Sequence, residues 1–231
     1  ASYLDQLKRM AAEAAAEYVK DGMKIGLGSG STVFEFVRVL GEKAKEGLNI
    51  QAVAASRKTE ALAKACGIHI IDFPTMEKLE VAFDGADEIA PGLMLLKGGG
   101  GSLLREKLVA AAAKRLVVLA DESKLVEELG AFKLPVEIIP FGWETTAMRI
   151  EALGGVASLR QTGKSPFVSD NHNWILDCDF GNIRDPYSLH EKVKKLVGVV
   201  ETGLFLDMAC EAIVASKNGI HHITKGDEFN V

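Results

Sequence analysis

A chain of 231 residues that is 48% hydrophobic and 26% charged can bury a core of domain size, as one large domain or two smaller ones. Its net charge of −5 and isoelectric point near 5.6 give no basic footprint for nucleic acid and none for an anionic membrane surface, so small-molecule chemistry is expected. Cys66, Cys178 and Cys210 are too scattered for a disulfide framework or a zinc site with paired ligands, and there is no span-length apolar run or signal-peptide pattern; reduced thiols and a cytoplasmic location follow as expectations.

In chain order, residues 4–19 place Leu4, Leu7, Met10, Ala11 and Ala14 at helical spacing, with Asp21-Gly22 closing the helix. The apolar run 23–27 reads as a strand, and Gly26-Leu-Gly-Ser-Gly-Ser-Thr32 leads from it into a helix over 33–40. The rhythm continues with strand 50–54, helix 58–66, strands 68–71 and 79–83, a helix over 102–114 after four consecutive glycines, and strand 116–120. This alternation predicts a mostly parallel, Rossmann-like α/β sheet covered on both faces. From about residue 131 the order becomes strand 134–139, helix 143–153, strands 156–160 and 174–178, helix 187–196 and strand 199–202, the β-α-β-β-α-β succession of a ferredoxin-like unit. The reading is an α/β catalytic domain from residues 1–130 plus 207–231, interrupted by a smaller ferredoxin-like α+β domain over 131–206.

Three loops after predicted strands carry the chemistry, since ligands of open α/β sheets bind beyond the carboxyl ends of the strands. In the first, Gly28-Ser-Gly-Ser-Thr32, Ser29, Gly30, Ser31 and Thr32 offer hydroxyls and backbone amides at a helix start, suited to a phosphate. A dinucleotide fingerprint requires glycine where Ser31 stands, and the next strand ends in Ser56-Arg57-Lys58 rather than an acid for a ribose diol, so a sugar phosphate fits better. In the second, Asp84-Gly-Ala-Asp-Glu88, the carboxylates of Asp84 and Asp87 can bind sugar hydroxyls or move protons; the pair is also compatible with a bare turn or, more weakly, with magnesium. In the third, Lys97 precedes Gly98, Gly99, Gly100 and Gly101, whose N–H groups can face an anionic oxygen, and Glu106 sits in the first turn of the following helix. That set suits an enediolate and a proton-carrying carboxylate, whereas the plain alternative is a solvated lysine and a glutamate at a helix dipole.

Together these blocks resemble the type A family of ribose-5-phosphate isomerases, along with Arg105-Glu-Lys107, Ala120-Asp-Glu-Ser-Lys124, Leu134-Pro-Val-Glu-Ile-Ile-Pro140 and Gly198-Val-Val-Glu-Thr-Gly-Leu-Phe205. The resemblance covers nearly the whole chain. It implies a cofactor-free, metal-free interconversion of ribose 5-phosphate and ribulose 5-phosphate in the pentose phosphate pathway, with Glu106 as general base, Asp84 and Asp87 holding sugar hydroxyls and assisting ring opening, and Lys97 with the glycine amides as oxyanion partner. Ser31, Thr32 and Lys124, with Lys8 on a loosely matching helix, are the implied phosphate ligands. The family commonly carries threonine where Ser29 stands, which removes a methyl group but keeps the hydroxyl. Apart from the sugar phosphate, the expected partner is a second copy of the chain in a homodimer or tetramer. The rival readings are an NADP-binding oxidoreductase using Arg57 for the extra phosphate, and a non-catalytic sugar-phosphate sensor.

Overall fold

The structure, a computed structural model, describes residues 2–73 and 78–231. Its elements run α1 (Tyr3–Ala16), β1 (Lys24–Leu27), α2 (Ser31–Lys45), β2 (Gln51–Ala54), α3 (Arg57–Ala65), β3 (His69–Ile70), β4 (Val81–Asp84), β5 (Glu88–Ala90), β6 (Met94–Leu96), α4 (Leu103–Ala111) and β7 (Leu116–Asp121). After a 3-10 turn at Glu122–Lys124 come β8 (Leu134–Ile138), α5 (Trp143–Glu151), β9 (Val156–Leu159), the short hairpin β10 (Gln161–Thr162) and β11 (Ser165–Pro166), and β12 (Trp174–Asp179). The chain finishes with α6 (Pro186–Lys194), β13 (Val199–Thr202), β14 (Leu204–Phe205), β15 (Ala209–Ser216) and β16 (Gly219–Ile223).

Seven strands form the main sheet in the order β16-β15-β7-β4-β1-β2-β3, every neighbouring pair parallel except β15 with β16. Period-two alternation sorts its apolar side chains onto two faces. Ile25 and Leu27, Val81 and Phe83, and Val117 and Leu119 face one core, with Val33, Phe36, Val37 and Leu40 of α2. Ala82, Leu116, Val118 and Ala120 face the other, with Leu103 and Val109 of α4. Helix α2 lies on its face because those four apolar residues recur at helical spacing and all are buried. The chain leaves β1 for β2 and β3 on one side and returns to β4 on the other, so the strand order reverses between β1 and β4; this is where an open sheet leaves a crevice at its carboxyl edge.

A second, wholly antiparallel sheet has the order β13-β8-β12-β9 and is covered by α5 and α6, the ferredoxin-like arrangement expected from the element succession. A third sheet, β14-β6-β5, was not expected: its strands are two or three residues long, too short for a period to show. It joins the chain just before Lys97 to the chain leaving β13, through Leu204↔Leu96 and Phe205↔Leu95. Residues 207–231 do return to the main sheet, as β15 beside β7 and β16 at the edge. Helix α1 stops at Ala16 rather than 19, and α2 continues to Lys45, past the expected 40.

Candidate active site

The crevice at the switch point is lined by Ser29, Gly30, Ser31, Thr32, Gly85, Ala86, Asp87, Lys97, Gly98, Gly99, Gly100, Glu106, Leu119, Ala120 and Lys124. All three sequence-singled loops therefore open onto one cleft. Asp84 lies under its floor, and Lys8, partly buried on α1, is not among the lining residues.

Asp84 ends β4, and its carboxylate accepts the N–H groups of Ser29 (3.2 Å) and Gly85 (2.8 Å), while its other oxygen lies 3.1 Å from Lys97 Nζ. The same Nζ is 3.4 Å from Glu106 Oε1 and donates to the carbonyl of Gly85. These three charged side chains are only 3% (Asp84), 3% (Lys97) and 6% (Glu106) exposed. Close approach explains Gly28: a Cβ there would sit 1.9 Å from the Asp84 carboxylate. The Gly28 carbonyl is fixed from behind by Thr59 Oγ1 at 2.7 Å, itself bonded to Ser56 Oγ at 2.9 Å.

Burial decides the protonation chemistry. Desolvation pushes the Glu106 carboxyl up to about 8, and the negative charge of Asp84 adds to the effect while Lys97 opposes it. Asp84 is also raised by burial, against the pull of Lys97 and its backbone donors. Burial alone would lower Lys97, but Asp84 and Glu106 together override it and raise the ammonium above its ordinary value. Asp84 has two backbone donors in addition to Lys97, whereas among the described residues Glu106 has the ammonium alone, which favours the proton of the trio on Glu106.

The walls are polar and preformed. Helix α2 begins after Gly30 with no side-chain cap, so its first amides are free to meet an anion next to the Ser31 and Thr32 hydroxyls. Lys124 enters from the 3-10 turn, whose start is capped by Asp121. Asp87 accepts the Gly99 N–H at 2.8 Å. Gly98 has φ of +108°, a left-handed value that bends the chain back over Lys97.

Some of the machinery escaped the sequence reading. Phe205 places its ring 5.2 Å from Lys97 Nζ and 4.6 Å from Lys107 Nζ. Glu88, buried, accepts the N–H groups of Gly130 (2.8 Å) and Phe132 (2.9 Å) and so fixes the loop before β8. Arg160, after β9, donates to the carbonyls of Gly98 and Gly99. No spacing rule links these distant positions to the glycine run; only Glu88 carried a signal, as a carboxylate within a charged turn.

The open, mostly parallel sheet with a buried acid–ammonium–acid array under the cleft at its switch point is the architecture of an α/β enzyme. Residues 51–219 match the family model described as ribose 5-phosphate isomerase A (phosphoriboisomerase A). Ribose-5-phosphate isomerase A of Bacillus cereus (strain ATCC 10987 / NRS 248) is 55% identical over 218 residues, 94% of this chain and 99% of that one. Among solved structures, ribose 5-phosphate isomerase A from Methanocaldococcus jannaschii is 38% identical with a TM-score of 0.91, covering 96% of this chain and 99% of its own. A D-ribose-5-phosphate isomerase in complex with phospho-erythronic acid is 35% identical with a TM-score of 0.93, covering 96% and 100%. The chain belongs to the ribose 5-phosphate isomerase A family, and isomerase activity follows from that membership. Neither the oxidoreductase nor the sensor reading is favoured.

Proposed function

We propose that the cleft interconverts ribose 5-phosphate and ribulose 5-phosphate through a cis-enediolate, with Glu106 carrying the proton between C2 and C1. The observation that carries this reading is the placement of Glu106 Oε1 3.4 Å from Lys97 Nζ at the floor of a cleft whose far wall is an uncapped helix start. The phosphate is assigned to Ser31, Thr32, the first amides of α2 and Lys124. Lys8 enters only as an outer contribution to the field around that phosphate. Ser29 and Gly30 bound the sugar, and Asp87 serves its hydroxyls and the opening of the furanose ring.

In the open-chain aldehyde, Glu106 takes the hydrogen on C2; the electron pair forms the C1–C2 double bond and the carbonyl electrons move onto O1. Lys97 and the Gly100 amide stabilise that oxygen, their positions being set by the fold before the reaction begins, while the Gly99 N–H is held by Asp87. The O2 proton passes to O1, and Glu106 returns its proton to C1, giving the ketose. Asp84 keeps Lys97 charged and aimed. One carboxylate suffices for both transfers.

The reaction is proposed to run without a metal, because Lys97 occupies the position between Asp84 and Glu106 that a divalent cation would need. Turnover in heavy water with excess chelator should yield ribulose 5-phosphate carrying solvent label at C1. Activity lost to the chelator and restored by Mg²⁺ or Mn²⁺ would recast Asp84 and Asp87 as metal ligands. The pentose phosphate pathway, a cytoplasmic setting, a homo-oligomeric state and the division into residues 1–130 plus 207–231 and 131–206 complete the proposal. No helix among the described residues is long and apolar enough to cross a membrane. The division is supported by the separate antiparallel sheet built between Leu134 and Thr202, whose core of Leu134, Val136, Ile138, Ile150, Leu176 and Val193 also takes in Ala90, Leu96 and Leu129 from the first part.

A further inference from the structure

The glycine run is shaped from outside the cleft. Arg160 Nη1 donates to the carbonyls of Gly98 (3.0 Å) and Gly99 (3.1 Å), while its Nε and Nη2 grip Asp177 at 3.0 and 2.6 Å. Its guanidinium lies 5.7 Å from the Phe167 ring centroid, and that ring fills the space where a side chain on Gly101 would go, 2.3 Å from an added Cβ. The arginine is itself fixed, its N–H donating to Ile175 and its carbonyl accepting from Phe167, both at 2.9 Å. Its side chain is 15% exposed, and that of Asp177 24%.

A trans peptide carries its C=O and N–H on opposite sides, and no peptide bond among the described residues is cis. In the Gly98–Gly99 peptide the carbonyl meets Arg160 and the N–H meets Asp87, so the side facing away from Arg160 is the cleft side. The Gly99–Gly100 peptide has its carbonyl on the same guanidinium, which turns the Gly100 N–H the same way, toward the cleft. Glycines have no side chain to resist a peptide flip, so the orientation depends on what holds the carbonyls. The Gly98 carbonyl has a second donor in Gly101 N–H at 3.0 Å, whereas the Gly99 carbonyl is held by the arginine.

We propose that Arg160, oriented by Asp177, is a positioning residue for the isomerisation: by holding the Gly99 carbonyl it aims the Gly100 amide from the ferredoxin-like sheet, while the Gly99 N–H stays on Asp87, and thereby couples that sheet to the oxyanion site. A lysine cannot replace it, because one ammonium cannot engage two carbonyls and a bidentate carboxylate in a single plane. The inference rests on the oxyanion role proposed above for this amide.

The test compares Arg160→Ala, Arg160→Lys and Asp177→Asn in kcat, in KM, and in dissociation constants for inorganic phosphate and for phospho-erythronic acid, whose carboxylate presents paired oxygens as an enediolate does. Arg160→Ala should lower kcat by roughly 10- to 100-fold, the scale of a misaimed oxyanion donor. Phospho-erythronic acid binding should weaken with it, inorganic phosphate binding should hold, and millimolar guanidinium should restore part of the rate. Arg160→Lys should recover little, and Asp177→Asn should shift the same quantities less. Unchanged kcat in a folded Arg160→Ala protein overturns the proposal, as does equal weakening of both ligands. If Arg160→Ala does not fold, the near-isosteric Asp177→Asn decides alone, wild-type kcat there being the overturning result. A Glu106→Gln protein that still turns over would instead refute the base, leaving the clamp to be judged by the phospho-erythronic acid arm.

Discussion

Glu106, Asp84 and Lys97 hold two potential negative charges and one positive charge in a space that excludes water, so the third charge is what the site must justify. With the Glu106 carboxyl at about 8, the free enzyme carries its base mostly protonated at neutrality. We expect log kcat/KM to rise with a slope near one through neutral pH and to level off above about 8; a profile already flat from pH 5 upward would contradict the assignment. The same shift has a stability sign. A carboxyl raised from 4.5 to about 8 favours the fold while protonated, below its unfolded value, and that contribution is lost as pH climbs through the folded one. Glu106→Gln does not titrate, so its stability relative to the wild type should grow between pH 4.5 and 8, by at most about 1.4 kcal/mol per pH unit, and then stay constant. Denaturant midpoints at pH 5, 6.5 and 8 read this directly, and a gap that shrinks with pH would contradict it. Gly28→Ala should cost about 1 to 3 kcal/mol and most of the activity, because its methyl meets a carboxylate fixed by three donors. A normal melting temperature and rate in that variant would show that the floor of the site is soft.

At the scale of elements, the proposed phosphate binding and the proposed proton transfer use separate parts of the cleft: α2 and the Lys124 turn for one, the glycine run and α4 for the other. Lys124→Ala should therefore weaken ribose 5-phosphate binding by removing a charged phosphate contact, and should barely affect an analogue without the phosphate. Equal losses on both compounds would place Lys124 elsewhere in the mechanism. The walls were legible in the sequence to different degrees. The glycine loops announced themselves because repeated glycines lose more chain entropy than other residues and need a use, whereas α2, expected from 33, starts at Ser31 without a side-chain cap. The sheet β14-β6-β5 left no periodic trace, yet it is what presents Lys97, whose N–H donates to Gly203 at 2.8 Å. Glu88 stood in the sequence as one more charge in a turn; only burial and two backbone donors 42 and 44 residues away give it a task.

At the scale of the molecule, alternating strand and helix patterns carried the two-sheet architecture, because buried parallel strands and amphipathic helices both write their environment into local sequence. What they could not write is contact between the sheets. Arg160 reaches Gly98 across 62 residues of chain, and Asp170 accepts the Arg57 N–H across 113. Such pairs depend on how the two sheets dock, a property of the whole chain. The central claim is that one carboxylate performs the isomerisation, and Glu106→Gln tests it most directly. With chelator present in heavy water, we expect both the conversion of ribose 5-phosphate and the exchange of its C2 hydrogen to fall together by roughly 10²- to 10⁴-fold or more, with inorganic phosphate binding unchanged. A folded Glu106→Gln protein that converts and exchanges at close to the wild-type rate would contradict the account and move the base to Asp84.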